Sequence, residues 1–251
     1  MRRLSVVLPL LVAAAVGLGA KVPTGGNSAS GAARSVSTGQ QLWLSDCAVC
    51  HGARGQGTNR GPNITQAGPA AVDFMMRTGR MPLSRPDAPL QRRSVRYSPA
   101  QIDSIVAYSS RFVDGPAVPK VDVSGASLPR GNQLYLANCA ACHQTAGAGG
   151  ALAYGDVAPP LGRATPTETV EALRTGPGRM PPFDRSTLDD RAAIDIARYV
   201  EQLHHPDDRG GWSIGHLGPV PEGLVAWAFG LGSILVAVRW LGTRVRPTPG
   251  A

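Results

Sequence analysis

Aromatic side chains are scarce in this chain: they make up 5% of its 251 residues, whereas Gly (31) and Pro (22) are abundant. So few large side chains do not fill a wide hydrophobic core by themselves. The composition suits small domains in which a large flat cofactor fills that space, and the length allows one or two such domains with additional anchor segments.

A dense basic face with interleaved aromatic residues is also lacking. The formal charge is +8, yet residues 35–205 hold 17 Arg and Lys against 14 Asp and Glu, a net of only +3. The remaining +5 lies in the tails and linkers. Because nucleic-acid binding requires a concentrated basic surface, we expect no nucleic-acid partner.

Cysteine is limited to four residues, and all four lie in two stretches with the pattern C-x-x-C-H. The stretches are Cys47-Ala48-Val49-Cys50-His51 and Cys139-Ala140-Ala141-Cys142-His143. This pattern is the attachment signature of a c-type haem. Two thiols on one helical turn can each bond a vinyl group of the porphyrin, and the adjacent histidine then gives its imidazole to the iron.

The motifs therefore predict two haem c groups with iron ligands His51 and His143. The predicted covalent anchors are Cys47, Cys50, Cys139 and Cys142. Disulfides, zinc ligation and a thioredoxin-like redox pair are the alternatives. Zinc ribbons do not require a histidine directly after each second cysteine. A redox pair normally lies in a βαβ pattern, which is absent from this sequence.

The chain repeats itself around these motifs. Four positions recur at an offset of 92, as the pairs Gly39 and Gly131, Gln41 and Gln133, Leu42 and Leu134, and Trp43 and Tyr135. Each stretch predicts a short helix with one apolar and aromatic face. We expect Trp43 and Tyr135 to pack into a core.

Each copy continues with a Gly-Arg-Met-Pro loop and a closing helix. The loops end in Met81-Pro82 and Met180-Pro181, and the helix-start residues are Ser98 with Pro99 and Asp189. Strand-like alternation is lacking throughout. The sequence therefore predicts an all-α fold with two tandem haem domains.

Met81 and Met180 are the candidates for the second axial ligand of each iron. They lie 30 and 37 residues after the motif histidines. Methionine is a soft ligand that favours ferrous iron and raises the potential. Iron held by histidine and methionine has no place for peroxide or oxygen, so we expect electron transfer without substrate chemistry and assign no catalytic residue.

Core packing is the alternative role for these two methionines, and it is the role expected of Met75 and Met76, which have no partner in the second copy. Rival iron ligands also exist in the second half of the chain. They are His204, His205 and His216, which lie outside the repeat and near the predicted membrane side.

Residues 1–20 begin Met-Arg-Arg and continue as an apolar run, which is typical of a secretory signal. Ala20 suits a cleavage site but Leu18 does not, so a cleaved signal peptide and an uncleaved signal-anchor both stay open. Both a signal peptide and a signal-anchor export the domains that follow. This agrees with the haem prediction, because haem is attached through thioether bonds outside the cytoplasm. Residues 21–36 are rich in Gly, Ser and Ala and predict a flexible linker.

An apolar stretch of 18 residues, Leu224 to Leu241, predicts a transmembrane helix, with a buried core helix as the alternative. At ~1.5 Å per residue it measures about 27 Å. Arginines flank it and Arg2-Arg3 begin the chain, so the positive-inside rule predicts cytoplasmic ends and extracytoplasmic haem domains. The predicted segments are a signal or anchor (1–20), a linker (21–36), a first haem domain (37–114), a linker (115–127), a second haem domain (128–205), a loop (206–222), a transmembrane helix (223–241) and a cytoplasmic tail (242–251).

The chain resembles the dihaem cytochrome c subunit of the actinobacterial cytochrome bc complex, over nearly everything from Gln40 to Leu241. Besides the two C-x-x-C-H motifs, the matching stretches are Thr78-Gly-Arg-Met-Pro82, Thr175-Gly-Pro to Met180-Pro181, and Leu217-Gly-Pro-Val-Pro-Glu-Gly223 before the span that contains Trp227. The resemblance implies two tandem cytochrome c-type domains. In cytochromes c, a proline carbonyl accepts the proton of the ligating histidine's other nitrogen. The resemblance gives this role to Pro62 and Pro160, with ordinary turn prolines as the alternative.

In that family, the subunit accepts electrons from the Rieske iron–sulfur centre after menaquinol oxidation and passes them to a terminal oxidase. The resemblance therefore implies a Rieske subunit, a cytochrome b and a cytochrome c oxidase as partners at the cell membrane. It also implies the role of electron-transfer subunit in a quinol–cytochrome c reductase, a translocase. Two alternatives stay open: a free membrane-anchored dihaem carrier, and a dihaem peroxidase or thiosulfate-oxidising cytochrome, which needs an open axial site.

Overall fold

The computed structural model describes residues 27–204 and 219–244. The predictions for the signal or anchor segment, for His205 and His216, and for most of the loop and the tail lie outside the described residues. The elements in chain order are α1 (Asn27–Leu42), a π-helical turn (Trp43–Cys47), α2 (Ala48–His51), α3 (Pro69–Arg77), α4 (Pro99–Ser109), α5 (Leu128–Asn138), α6 (Ala140–His143), β1 (Gly150–Ala151), a 3-10 turn (Ala153–Gly155), β2 (Val157–Ala158), α7 (Pro166–Thr175), α8 (Asp190–His204) and α9 (Pro219–Arg244).

Two helical bundles make up most of the described chain, with α1 to α4 in the first and α5 to α8 in the second. The all-α prediction is confirmed, with one small exception. Strands β1 and β2 form an antiparallel pair of two residues each, in which Gly150 lies opposite Ala158.

Each bundle has its own hydrophobic core. Trp43 and Tyr135 are buried in the first and second core, as predicted from the repeat. The other buried members of the first core are Val72, Met76, Tyr97, Ile102, Ile105 and Val113. In the second core they are Cys139, Val170, Leu173, Leu188, Ala192, Ala193, Ile196, Ala197 and Val200.

The repeated glycines mark the points where the first and closing helices of each bundle cross. A Cβ atom on Gly39 would collide with the carbonyl oxygen of Ser104 in α4, and one on Gly131 with that of Asp195 in α8. Only glycine allows two helix backbones to approach so closely. The first motif cysteine follows eight residues after each glycine, so the crossing fixes where each motif lies in its bundle.

The closing helices begin where the sequence predicts. Ser98 and Gln101 form a reciprocal capping box, in which the Ser98 backbone N–H donates to Gln101 Oε1 at 2.9 Å. Asp189 lies just before α8, and its Oδ1 accepts from the Ala192 backbone N–H at 2.6 Å. These caps satisfy N–H groups that have no partner inside the helix.

The linker prediction for residues 21–36 is wrong from residue 27 onward, because α1 begins at Asn27. Residues 21–36 lack apolar periodicity, which is why their sequence suggests a linker, but residues 27–36 contain no proline and their alanines favour a helix. Ser35 Oγ lies 3.1 Å from Ser104 Oγ in α4. This contact holds the end of the segment against the bundle.

Helix α9 begins four residues before the predicted span and ends three residues after it. Pro219 and Pro221 fit the first turn, since the first N–H groups of a helix have no intrahelical partner. The portion Gly223–Arg244 has a mean hydropathy of 1.8 and none of it is buried. Among the described residues, α9 is the one helix that is long and apolar enough to cross a membrane.

Helices α3 and α7, which occupy equivalent positions in the two copies, pack against each other and join the bundles. A salt bridge crosses this contact: Arg92 Nη2 donates to Glu168 Oε2 at 2.6 Å. The two predicted haem sites therefore belong to bundles that are in direct contact.

Candidate haem sites

The first C-x-x-C-H motif spans the end of the π-helical turn and the whole of α2, so both thiols and the imidazole project from about one turn of helix. His51 Nδ1 lies 2.9 Å from the carbonyl oxygen of Pro62. A carbonyl only accepts, so Nδ1 carries the proton and donates it, which leaves Nε2 as the nitrogen with a lone pair for a metal. The role that the resemblance gives to Pro62 fits this geometry.

The second motif repeats the arrangement with a different proline. His143 Nδ1 donates to the carbonyl oxygen of Pro159 at 3.0 Å, so the expectation for Pro160 is wrong by one residue. The loop between His143 and this proline is longer than in the first copy and contains β1 and β2. Because that strand pair ends at Ala158, the next carbonyl in the chain, that of Pro159, is the one that faces the imidazole.

The residue after each histidine is held by the buried aromatic side chain of the same copy. Trp43 Nε1 donates to the Gly52 carbonyl at 3.2 Å, and the Tyr135 hydroxyl donates to the Gln144 carbonyl at 2.7 Å. The repeat predicts core packing for both aromatics, but it does not reveal this second role. The signal that the two copies share is an aromatic side chain with an N–H or O–H donor at the same position.

The two methionine loops return to the cores that carry the motif cysteines. Met81 packs against the first core, as Cys47 does, and its backbone N–H donates to the Met75 carbonyl at 3.1 Å. Met180 packs against the second core, which includes Cys139. The structure therefore brings a motif cysteine and the predicted methionine ligand to the same core in both bundles. Ligation of iron by these methionines remains a prediction.

The other candidate ligands lie elsewhere in the bundles. Met76 is buried in the first core, as expected of a packing residue. His204 is half-buried at the end of α8, outside both C-x-x-C-H turns. His205 and His216 fall outside the described residues.

The cysteine environments argue against the alternatives of a disulfide and a redox pair. All four cysteines are free thiols. Burial, reinforced by nearby negative charge, raises the pKa of Cys47 to about 12, and burial raises the pKa of Cys139 to about 11. Reactive redox cysteines have lowered pKa values instead. In the free chain the thiols of Cys47 and Cys139 therefore stay protonated at neutral pH.

The zinc alternative also lacks support within residues 27–204 and 219–244. A structural zinc site needs four ligands in tetrahedral geometry. In this part of the chain, no group of three or more His, Cys, Asp and Glu side chains is placed to hold a metal ion. Two thiols with one oriented imidazole fit covalent haem attachment instead, in which the iron is held by the porphyrin and needs few protein ligands.

Two arginines that the sequence analysis did not single out fasten the helices before the methionine loops. Arg77 pairs with Asp73 at 2.8 Å and also with Asp103 in α4. Arg174 is buried and donates to the Leu188 carbonyl at 2.7 Å and to Asp190 at 2.9 Å. Both open the repeated Arg-Thr-Gly sequence, and this recurrence was the signal for a shared role.

Comparison with known proteins assigns each bundle to a family. Residues 36–108 match the cytochrome c family. Residues 126–200 match the family described as cytochrome C oxidase, cbb3-type, subunit III. The two matches cover the first and second bundle almost from the first helix to the closing helix.

Whole-chain relatives share one description, cytochrome bc1 complex cytochrome c subunit. The protein of Mycobacterium leprae is 38% identical over 216 residues, which are 82% of this chain and 75% of that protein. The Corynebacterium diphtheriae protein is 35% identical over 227 residues, 83% of this chain and 81% of that protein. The Mycobacterium tuberculosis protein is 38% identical over 216 residues, 82% and 77% of the two chains.

Proposed function

The chain belongs to the family of cytochrome c subunits of cytochrome bc1 complexes, and from this premise we propose that it holds two covalently attached haem c groups. The anchors are Cys47 and Cys50 in one bundle and Cys139 and Cys142 in the other. One observation carries the proposal: each motif histidine donates Nδ1–H to a proline carbonyl, which leaves Nε2 with a lone pair that would bind a metal, next in the chain to two free thiols.

Met81 and Met180 would hold the iron together with His51 and His143. When bound, the haem supplies an iron that gains and loses one electron. With two protein ligands at each iron, the chain would keep peroxide and oxygen away from it, and the thioether would raise the potential. The positions of both methionines, at the edge of the core that holds the motif, support this assignment.

As a subunit of a cytochrome bc1 complex, the chain is an electron carrier. It accepts electrons from the Rieske iron–sulfur centre, next to cytochrome b, and passes them to a terminal cytochrome c oxidase. Within this quinol–cytochrome c reductase, a translocase, two haem sites in contacting bundles extend the distance that electrons cover in one subunit. Helix α9 anchors the chain in the cell membrane, and Arg239 and Arg244 mark its cytoplasmic end, with the haem domains on the other side.

Purification of the full chain from its membrane in mild detergent tests the assembly. We expect the polypeptide mass to exceed that of its amino acids by two haems, a low-spin spectrum, and co-purification of a Rieske protein and a cytochrome b. A chain without covalent haem would refute the proposal. Native high-spin ferric haem would favour a peroxidase, and a chain that always purifies alone would favour a free carrier.

The axial methionines are tested by Met81→Leu and Met180→Leu, each in the full-length protein. Loss of the thioether is expected to remove the low-spin signature of one haem and to lower its potential by some tenths of a volt, within the ~0.8 V that axial ligands control. Met75→Leu is the matched control, because this half-buried methionine lies on α3 outside the loop. If Met81→Leu and Met75→Leu give the same spectrum, Met81 is not a ligand.

A further inference from the structure

The contact between the bundles buries three carboxyl groups that the proposed haem sites do not use. Asp73 on α3 is 2% exposed, and Glu168 and Glu171 on α7 are 6% and 0% exposed. Acidic side chains are almost never buried to this degree unless they are paired. Each of the three therefore needs an explanation.

Two of these carboxyl groups have cationic partners, but Glu171 has none. Asp73 pairs with Arg77 at 2.8 Å, and Glu168 pairs with Arg92 at 2.6 Å. Neither side-chain oxygen of Glu171 has an N–H or O–H donor among the described residues, and the group within hydrogen-bonding reach is the Asp73 carboxylate, which can only accept a proton from Glu171. An ionised carboxylate buried without a partner is strongly unfavourable, and the group binds a proton instead. Burial, together with the negative charge of Asp73, raises the pKa of Glu171 to about 9.

The surroundings of Glu171 do not offset this effect. The charged groups that face it are Asp73 and Arg77 from α3 and Glu168 from its own helix. Arg77 is already engaged by two aspartates. Helix α8, which packs on another side of α7, meets it in the apolar cluster that contains Leu173. No positive charge is therefore dedicated to Glu171.

Glu171 also lies in the contact between the two helices that lead into the predicted methionine loops. Helix α7 leads into the Met180 loop, and Thr175 Oγ1 donates to the Glu171 carbonyl at 2.7 Å at the end of that helix. Helix α3, across the contact, leads into the Met81 loop. In a water-excluded contact, an added electron on either side acts on a carboxyl group with much less screening than in water.

We propose that Glu171 is a proton-binding site between the haem domains and that it holds its proton more tightly when an adjacent iron is reduced. The inference rests on the proposed haem function. In the coupled step, the electron comes from the donor protein and converts iron(III) to iron(II). A proton from bulk water adds to a Glu171 carboxylate oxygen, so one negative charge is balanced by one positive charge.

Redox titrations of the holoprotein from about pH 6 to about pH 10 test the coupling. In the wild type, at least one haem potential is expected to fall as the pH rises on the alkaline side of neutrality. Glu171→Gln is expected to flatten this dependence. Glu201→Gln is the matched control, because Glu201 is a partly exposed carboxylate paired with Arg198 on α8. The control is expected to keep the wild-type dependence.

Infrared difference spectra between oxidised and reduced protein provide a second readout. The C=O band of a protonated carboxylic acid is expected to change on reduction in the wild type and in Glu201→Gln, and to be missing in Glu171→Gln. If Glu171→Gln does not fold, Asp73→Asn serves in its place. It removes the neighbouring negative charge and should move the pH-dependent range of the potential to lower pH.

Coinciding pH profiles of wild type and Glu171→Gln, or an infrared band that survives this substitution, overturn the inference. So does an unchanged profile in Asp73→Asn. These outcomes are distinct from failure of the proposed function, because that failure is absence of covalent haem in the wild type, measured by mass before any titration.

Discussion

At the scale of single residues, the position after each motif histidine shows how the backbone holds an imidazole in place. Gly52 has a φ of 79° and Gln144 a φ of 62°, a region that side chains rarely occupy. The carbonyl of each residue is held by a buried aromatic side chain. The second copy therefore accepts backbone strain at Gln144 that glycine avoids in the first copy.

Replacing Gln144 with glycine is expected to relieve this strain and raise the free energy of unfolding by about 1 kcal/mol. Denaturant titration of the holoprotein measures the change. Gly52→Ala is the opposite substitution at the equivalent position and should destabilise the first bundle. If Gln144→Gly lowers the stability, the backbone at this position is not strained.

The hydrogen bond of Tyr135 is tested by Tyr135→Phe, which removes only the hydroxyl. We expect a loss of about 1 kcal/mol in the free energy of unfolding, because the Gln144 carbonyl loses one of its two donors and keeps only the Gly147 N–H. Tyr199→Phe is the control: the Tyr199 ring lies tilted against the same ring, at 5.3 Å between centroids, and its hydroxyl is not the one that donates to Gln144. Equal effects of the two substitutions would contradict the assigned role.

At the scale of elements, the helix crossings set the positions of the haem motifs. Gly39 and Gly131 let α1 cross α4 and α5 cross α8 at backbone contact, and the cysteines follow at the same distance in both copies. The sequence repeat identifies both glycines, but it does not give their partner. That partner lies about 65 residues away in the chain, as Ser104 or Asp195.

Gly131→Ala is expected to lower the free energy of unfolding by about 2 kcal/mol or more, since the added methyl group meets the backbone of α8, which has no room to move aside. Thermal or denaturant unfolding measures the effect. Gly125→Ala provides the control, because a Cβ atom there meets nothing within 4 Å. A Gly131→Ala protein as stable as the control would show that the crossing is not so close.

At the scale of the whole molecule, the two bundles have similar folds, but equivalent residues at and near the contact between them have different side chains or different burial. Arg80 and Arg179 occupy the same place in the repeat, yet Arg80 is buried with its guanidinium over Phe74, whereas Arg179 is exposed beside Asp156. Glu171 stands three residues before Arg174, where the first copy has Phe74 before Arg77. The polar residue in place of an aromatic one was a sequence signal for the interface.

Glu171 also predicts how stability depends on pH. Its folded-state pKa is raised from 4.5 to about 9, so its contribution is fully present below about pH 4.5 and is lost as the pH rises through about 9. We expect the free energy of unfolding to fall over this range and Glu171→Gln to reduce the fall, measured by denaturant titration at several pH values. An unchanged slope would show that Glu171 ionises normally.

The sequence by itself determined the features that depend on a few neighbouring residues or on exact recurrence. A single helical turn carries each C-x-x-C-H motif, a capping box starts α4 at Ser98, and recurrence identifies the methionine loops and Trp43 with Tyr135. These features follow from local geometry, because residues that are close in the chain are also close in space. The tertiary structure decided the rest: Pro159 rather than Pro160, a helix where residues 27–36 suggest a linker, and the burial of Glu171. Each of these depends on contacts between residues far apart in the chain, whose pairing no local pattern encodes.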